Sequence, residues 1–361
     1  MSGRGAHADG ESDALLEVED LTTVFHTDKE TIHAVDGVSF AVDEGETLGI
    51  VGESGSGKSV TARSVLGLID SPGVIESGSI RFQGDELTND NWDDHRGDLS
   101  IVFQDPSNSL NPVYTVGNQI RETLRIHQDL RGQAAREEAV RLLESVGIPD
   151  ARRRLGEYPH QFSGGMKQRA VIAVALACDP DLLVCDEPTT ALDVTIQAQI
   201  LELLDDLQAE EDLAIVFITH DMGVIEETAD RVNVMYAGEV VESAPVDDLF
   251  ASPQHPYTRG LLASIPGRTV SGDRLPTIGG EVPTPTGEPG SCRFADRCPA
   301  AFDACDRVHP EPIQVGPDHA ASCLLHEDGY DRDLGDEFAQ PGVESEPTLE
   351  PNTAADGGDP R

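Results

Sequence analysis

Gly52-Glu-Ser-Gly-Ser-Gly-Lys-Ser59 follows the apolar run Thr47 to Val51 and opens the helical pattern from Ser59 to Leu68. This stretch decides the fold. G-x-x-x-x-G-K-[ST] between a strand and a helix reads as a phosphate loop. The small residues Gly52, Ser54, Gly55, Ser56 and Gly57 let backbone N–H groups turn inward around a β-phosphate. The helix starting near Lys58 and running on through Ser59 and Val60 adds its positive dipole end. In such a loop Lys58 reaches the β- and γ-phosphate oxygens, and the Ser59 hydroxyl ligates Mg²⁺. A plain glycine turn is the competing reading. The strand before and the helix after set it aside, because that context gives the pattern its specificity.

Downstream, Leu182-Leu-Val-Cys-Asp-Glu-Pro188 is an apolar strand ending in two acids. It predicts Asp186 at the C-terminal edge of a sheet, holding Mg²⁺, with Glu187 set to orient or deprotonate a water. In a chain with 67 acidic residues, adjacent carboxylates carry little alone. The four apolar residues before them and the phosphate loop upstream give the pair its meaning. A helix over 194–209, with Ile196, Ile200, Leu203, Leu204 and Leu207 on one face, leads to a second apolar strand at 214–219. Strand, crossover helix and strand imply a mainly parallel sheet covered on both faces, an α/β fold.

Other segments fill in around this core. Strands are predicted from Leu15, at 37–43 and at 78–83, punctuated by Glu44-Gly45 and Gln83-Gly84. The middle, about 105–165, reads as mostly helical, with Ala135, Ala139, Leu142, Leu143 and Val146 at helical spacing. Residues 1–13 and the acidic 327–361 read as disordered. The main unit is 14–244. A smaller, irregular, proline- and cysteine-bearing unit occupies 245–326. No internal repeat is found, so the chain holds one unit of the main type.

The formal net charge is -42, with 25 basic residues, of which only Lys29, Lys58 and Lys167 are lysines. Such a surface disfavours nucleic acid, which needs a basic face, and anionic lipid. Dispersed carboxylates with few lysines read as adaptation to a salty cytoplasm, where screening removes much of their repulsion; codon bias with an acidic tail is the alternative. No stretch approaches the length of a membrane span, and residues 1–13 carry no apolar signal core. A cytoplasmic location is expected, with any membrane role reached through a partner.

Ser163-Gly-Gly-Met-Lys-Gln-Arg169 resembles the signature motif of the ABC transporter ATPases, with Phe162 for the usual Leu and Met166 for the usual Gln. Alone, Ser163-Gly164-Gly165 would read as a helix cap. Gln104 resembles the Q-loop glutamine, which the family uses to sense Mg²⁺ and contact the permease. Asp193 resembles the D-loop aspartate, and His220 the histidine that contacts the γ-phosphate. Phe25 is the candidate for stacking on adenine, although an apolar strand residue reads first as core. The resemblance covers about 15–265 and implies a P-loop NTPase cassette with an antiparallel β subdomain and a helical signature subdomain. It implies ATP held between the phosphate loop of one cassette and the signature motif of another.

Gln254-His-Pro-Tyr-Thr-Arg-Gly-Leu-Leu262 and the segment 289–299 resemble the oligopeptide/dipeptide permease ATPases, with nickel importers as close relatives. This implies a paralogous ATPase subunit or a second copy as partner, two transmembrane permease subunits and an external substrate-binding lipoprotein. It places the chain at the cytoplasmic face of the membrane. A soluble non-transport ABC ATPase and a binding module with a dead ATP site are the rival readings.

Six cysteines remain. Cys178 and Cys185 read as packed thiols. Cys292, Cys298, Cys305 and Cys323 lack the tight pairs that zinc prefers, and a reducing compartment disfavours disulfides. Four thiolates suit a [4Fe–4S] cluster, which the peptide-permease resemblance implies; zinc and free thiols stay open. His309 and His326 read as surface histidines.

Overall fold

The computed structural model describes residues 14–88, 91–190, 192–265, 278–287, 289–327 and 329–330. The expected disordered N-terminus, 1–13, and the tail from 331 onward lie outside the described residues.

The first layer is an antiparallel sheet. It contains β1 (Leu16–His26) and β2 (Thr31–Val42), which are followed by β3 (Thr47–Val51) and the helix α1 (Lys58–Val65) of a second layer. β4 (Gly73–Phe82) and β5 (Asp85–Glu86) complete it in the order β2-β1-β4-β5. Leu16, Val18, Leu21, Val38, Phe40, Ile80 and Phe82 are buried on its inner side, as strand alternation dictates. β2 and β4 each begin earlier than the sequence pattern predicts. The added residues, such as Thr31 opposite His26 and Gly73 opposite Phe25, extend the ladder pairing with β1, and Gly73 and Val35 are buried as well.

The second layer is the main sheet. Its remaining elements begin with β6 (Leu99–Val102), α2 (Pro106–Ser109), α3 (Val116–His127), α4 (Gly132–Ser145), α5 (Ala151–Arg154) and α6 (Gly164–Leu176). They continue with β7 (Leu182–Asp186), α7 (Val194–Glu211), β8 (Ala214–Thr219), α8 (Met222–Thr228), β9 (Arg231–Tyr236) and β10 (Glu239–Pro245). The chain then forms α9 (Val246–Ala251), α10 (Pro256–Ala263), β11 (Ile313–Gly316) and β12 (His319–Ala321). The strand order is β11-β12-β10-β9-β3-β8-β7-β6, parallel from β9 to β6 and antiparallel beyond.

Successive residues of the parallel strands enter different cores. Leu48, Ile50, Leu182, Val184, Val216 and Ile218 pack with the antiparallel sheet. Val51, Leu183, Cys185, Ile215 and Phe217 pack with the helices. Burial on both faces explains why these strands read as continuous apolar runs. Helices α3 to α6 form the helical unit expected at 105–165. Val116, Ile120 and Leu124 of α3 share its core with Ala139 and Leu143 of α4.

Among the described residues after β10, the longer regular elements are α9, α10 and the β11–β12 hairpin, which extends the main sheet through β10. A buried carboxylate fastens it. Glu242 accepts the Gln254 N–H at 2.6 Å, the His255 N–H at 2.8 Å and a contact from His319 Nε2 at 2.8 Å. Burial alone would raise its pKa; His319, Thr258 and the two backbone N–H groups outweigh it and hold the carboxylate below its usual range. Among the described residues no helix is long and apolar enough to cross a membrane.

Candidate functional site

The phosphate loop turns between β3 and α1. Gly57 takes φ 107° and a Cβ there would meet Ala34 O at 2.4 Å, so only glycine fits. Gly52 is as confined, its Cβ position lying 2.2 Å from Met235 O. Gly55 also has positive φ, 84°, and opens to free space. Ser54 and Gly55 are exposed, whereas the buried Ser56 Oγ has no hydrogen-bond partner. The N–H groups of Lys58 and Ser59, at the start of α1, have no intrahelical acceptors by helix geometry, whereas Val60 N–H donates to Gly57 O at 3.0 Å. An orphaned hydroxyl and free amides around glycine-only turns fit a phosphate-bearing ligand.

Lys58 is buried and donates to Gly52 O at 2.7 Å and Glu53 O at 3.0 Å. Burial lowers its pKa, opposed by Glu187, Asp186 and Glu53. Ser59 Oγ donates to Asp186 Oδ1 at 2.9 Å. A hydroxyl beside a carboxylate is the hard-oxygen pair that suits Mg²⁺. Burial pushes Asp186 above the usual carboxylate range, partly offset by Ser59.

Glu187 directly follows β7 and takes φ 49°, an unusual left-handed backbone for a non-glycine residue. Its N–H donates to Ile218 O of β8 at 2.9 Å, which fixes the turn. The carboxylate gathers three partners: Gln104 Nε2 at 2.8 Å, Thr190 Oγ1 at 2.9 Å and His220 Nδ1 at 3.3 Å. Burial would raise its pKa, but Thr190, His220 and the Lys58 charge bring it below the usual value. The structure thus brings together the phosphate loop, Asp186, Glu187, Gln104 and His220, which lie far apart in the sequence.

Ser163 caps α6, its hydroxyl accepting the Met166 N–H at 3.3 Å. It and Gly164 are exposed. Gly165 is buried where a Cβ would meet Ile196 of α7 at 2.6 Å. Asp193 caps α7 by accepting the Ile196 N–H at 3.0 Å. Signature turn and Asp193 therefore share one helix junction, and no contact among the described residues joins them to the phosphate loop of the same chain. Phe25 is half-buried and packs against Gly73.

Two groups escape a sequence reading. Thr190 holds Glu187, and its signal was local: a hydroxyl three residues after the acid. Glu53 is held by Tyr257 and Arg297; both lie inside the two C-terminal segments singled out by sequence.

The six cysteines are free thiols. Cys292 N–H donates to Cys305 O at 2.9 Å. Burial pushes the thiols of Cys292 to about 11 and of Cys298 and Cys323 to about 12, and the four influence one another electrostatically. Among the described residues, however, no group of three or more His, Cys, Asp or Glu could hold a metal ion, so the expected ligand set lacks support from this geometry. His309 and His326, expected on the surface, are half-buried instead. His309 contacts Glu239 of β10 at 3.0 Å and His326 contacts Gln254 O at 3.1 Å, partners brought close only by folding.

Comparison with known proteins adds to this geometry. Residues 35–190 match the family described as ABC transporter, and residues 241–305 match the oligopeptide/dipeptide transporter C-terminal region. The chain is 51% identical over 319 residues to the oligopeptide transport ATP-binding protein AppD of Bacillus subtilis, covering 87% of this chain and 97% of that one. It is 52% identical over 303 residues to a putative peptide import ATP-binding protein of Brucella abortus, covering 83% and 91%. Among solved structures, cbiO1 of Clostridium perfringens, part of an ABC transporter complex, matches with TM-score 0.58 and 29% identity over 67% of this chain and 92% of that one. An ATP-binding cassette solved as a dimer in a post-hydrolysis state with ADP and Pi matches with TM-score 0.57 and 28% identity, covering 64% and 98%.

Proposed function

The chain belongs to the ABC transporter ATP-binding subunits of the oligopeptide/dipeptide branch, and on that premise we propose that it powers the import of peptides by hydrolysing ATP. One observation carries the chemistry: the Glu187 carboxylate, kept ionised, stands between Gln104, Thr190 and His220 at the strand end beside the phosphate loop. The relatives at about half identity favour peptide import over nickel import and over a soluble non-transport ATPase.

Amides of 52–59 and Lys58 hold the ATP phosphates. Ser59 and Asp186 would hold Mg²⁺, with Gln104 alongside, and the bound ion would offset phosphate charge. Glu187 takes a proton from water as its oxygen attacks the γ-phosphorus and the bond to ADP breaks. His220 steadies Glu187 and faces the γ-phosphate. Ser163, Gly164, Gly165 and Asp193, exposed or at an exposed junction, serve the site of a second cassette, a paralogue or another copy. ATP favours the closed pair and loss of its γ-phosphoryl group favours opening. One of the two permease subunits meets the groove of about 830 Å³ lined by Arg63, Leu68, Phe103, Gln104 and Asn108, and the other meets the partner cassette. An external substrate-binding lipoprotein delivers the peptide, and the chain sits at the cytoplasmic face of the membrane.

The test is peptide accumulation by proteoliposomes holding the complete transporter. ATP-dependent uptake that Lys58→Ala abolishes is expected; ATP turnover with nickel uptake and no peptide uptake would overturn the assignment.

The four C-terminal thiols are read as ligands of a [4Fe–4S] cluster that pins this segment. The support is the donor chemistry alone: four cysteine thiolates without the tight pairs that zinc prefers suit an iron–sulfur cluster. Anaerobically purified protein is expected to be brown and to contain about four irons per chain. Colourless, zinc-loaded protein would reverse the choice.

A further inference from the structure

We infer that Arg297 and Tyr257 are positioning residues for the phosphate loop, acting through Glu53. The inference rests on the ATPase reading above. Glu53 follows Gly52 at the start of the loop. Arg297 holds its carboxylate with both arms, Nη1 to Oε2 at 2.7 Å and Nη2 to Oε1 at 3.0 Å. Tyr257 Oη accepts the Glu53 N–H at 2.9 Å. Side chain and backbone of one loop residue are therefore gripped from the C-terminal region.

The grip stands on a rigid base. The Arg297 side chain is only 6% exposed. It also donates from Nε to Gly279 O at 2.8 Å and from Nη1 to Tyr236 Oη at 3.2 Å, and its guanidinium lies 5.5 Å from the Tyr236 ring centre. Tyr257 is fully buried, its ring 4.7 Å from Tyr236 and 5.4 Å from Phe294. Bidentate pairing fixes geometry as well as charge.

Glu53 passes the constraint on. Its carbonyl accepts from Lys58 Nζ at 3.0 Å and from the Ser56 N–H at 3.2 Å. Both of these donors belong to the loop that cradles phosphate. A carboxylate at this place would also repel a triphosphate, and Arg297 neutralises it. Releasing Glu53 both loosens the cradle and frees that negative charge. The expected consequence is weaker nucleotide binding with little change in the chemical step.

The experiment titrates full-length wild type and variants with a fluorescent MgATP analogue, beside ATPase kinetics and nucleotide-free thermal unfolding. Arg297→Met is expected to weaken binding and raise KM about tenfold, the size of a typical coupling between contacting residues, with kcat within about twofold. Tyr257→Phe keeps the packed ring and loses only the acceptor; about threefold weaker binding is expected from one hydrogen bond. Arg297→Lys should recover part of the loss. The double variant Glu53→Gln with Arg297→Met should lose no more than Arg297→Met alone. Unchanged affinity in both Arg297→Met and Tyr257→Phe would overturn the inference, as would fully additive losses in the double. A lowered melting point with normal affinity would assign the pair a purely structural role and also overturn it. Should Arg297→Met not fold, Tyr257→Phe and Glu53→Gln decide. If the wild type itself binds no MgATP, the ATPase reading fails first.

Discussion

Glu187→Gln is expected to bind MgATP normally yet lose roughly 10²- to 10⁴-fold in turnover, the usual contribution of a positioned proton acceptor. The amide keeps the size of the carboxylate, so Thr190 and Gln104 still have an oxygen to meet. What goes is basicity. The site is arranged for the ionised form: Thr190, His220 and Lys58 bring the Glu187 pKa down against the effect of burial. A group so stabilised is unprotonated at neutral pH and ready to accept. With binding intact and cleavage stalled, the ATP-bound pair should persist. Size-exclusion chromatography should show a dimer with ATP for the variant, where the wild type returns to monomers after turnover. Undiminished turnover would show that the base lies elsewhere.

Lys58→Ala is expected to lose at least about 100-fold in MgATP affinity, or close to 3 kcal/mol. Lys58 is buried and stands at the centre of an acidic set, since Glu187, Asp186 and Glu53 all raise its pKa against burial. Without the ammonium, these carboxylates face the triphosphate with no compensating side chain in the loop. Calorimetric titration measures the affinity directly. Nucleotide-free thermal unfolding separates this loss from misfolding, since Lys58 also donates to Gly52 O and Glu53 O within the loop. Unchanged affinity would remove Lys58 from the nucleotide site.

The parts of this molecule that sequence made legible are those with a local pattern. The phosphate loop needs glycine at fixed offsets because Gly52 and Gly57 admit no Cβ. β7 and β8 read as apolar runs because both of their faces are covered. α7 shows its face through Ile200, Leu203, Leu204 and Leu207, all buried. Where tertiary pairing alone decides, the pattern is silent. The starts of β2 and β4 lack a clean alternation of apolar and polar residues, and they pair along β1, which offers a ladder on each side. The Arg297–Glu53 pair spans 244 residues, and no spacing rule reaches that far. His309 and His326 looked like surface residues because their partners Glu239 and Gln254 lie some seventy positions upstream. Thiol spacing likewise does not say whether four cysteines meet in space.

The β11–β12 hairpin occupies the free side of β10, and Glu242 clamps both His319 of the hairpin and the start of α10. The change of composition near 245 is therefore a change of texture, not a seam. Truncated at that point, the chain would leave β10 presenting bare amides and carbonyls to any strand nearby and would strip Glu242 of every side-chain and backbone partner described above. Catalytic unit and C-terminal segment are expected to unfold as a single cooperative block, in one thermal transition rather than two.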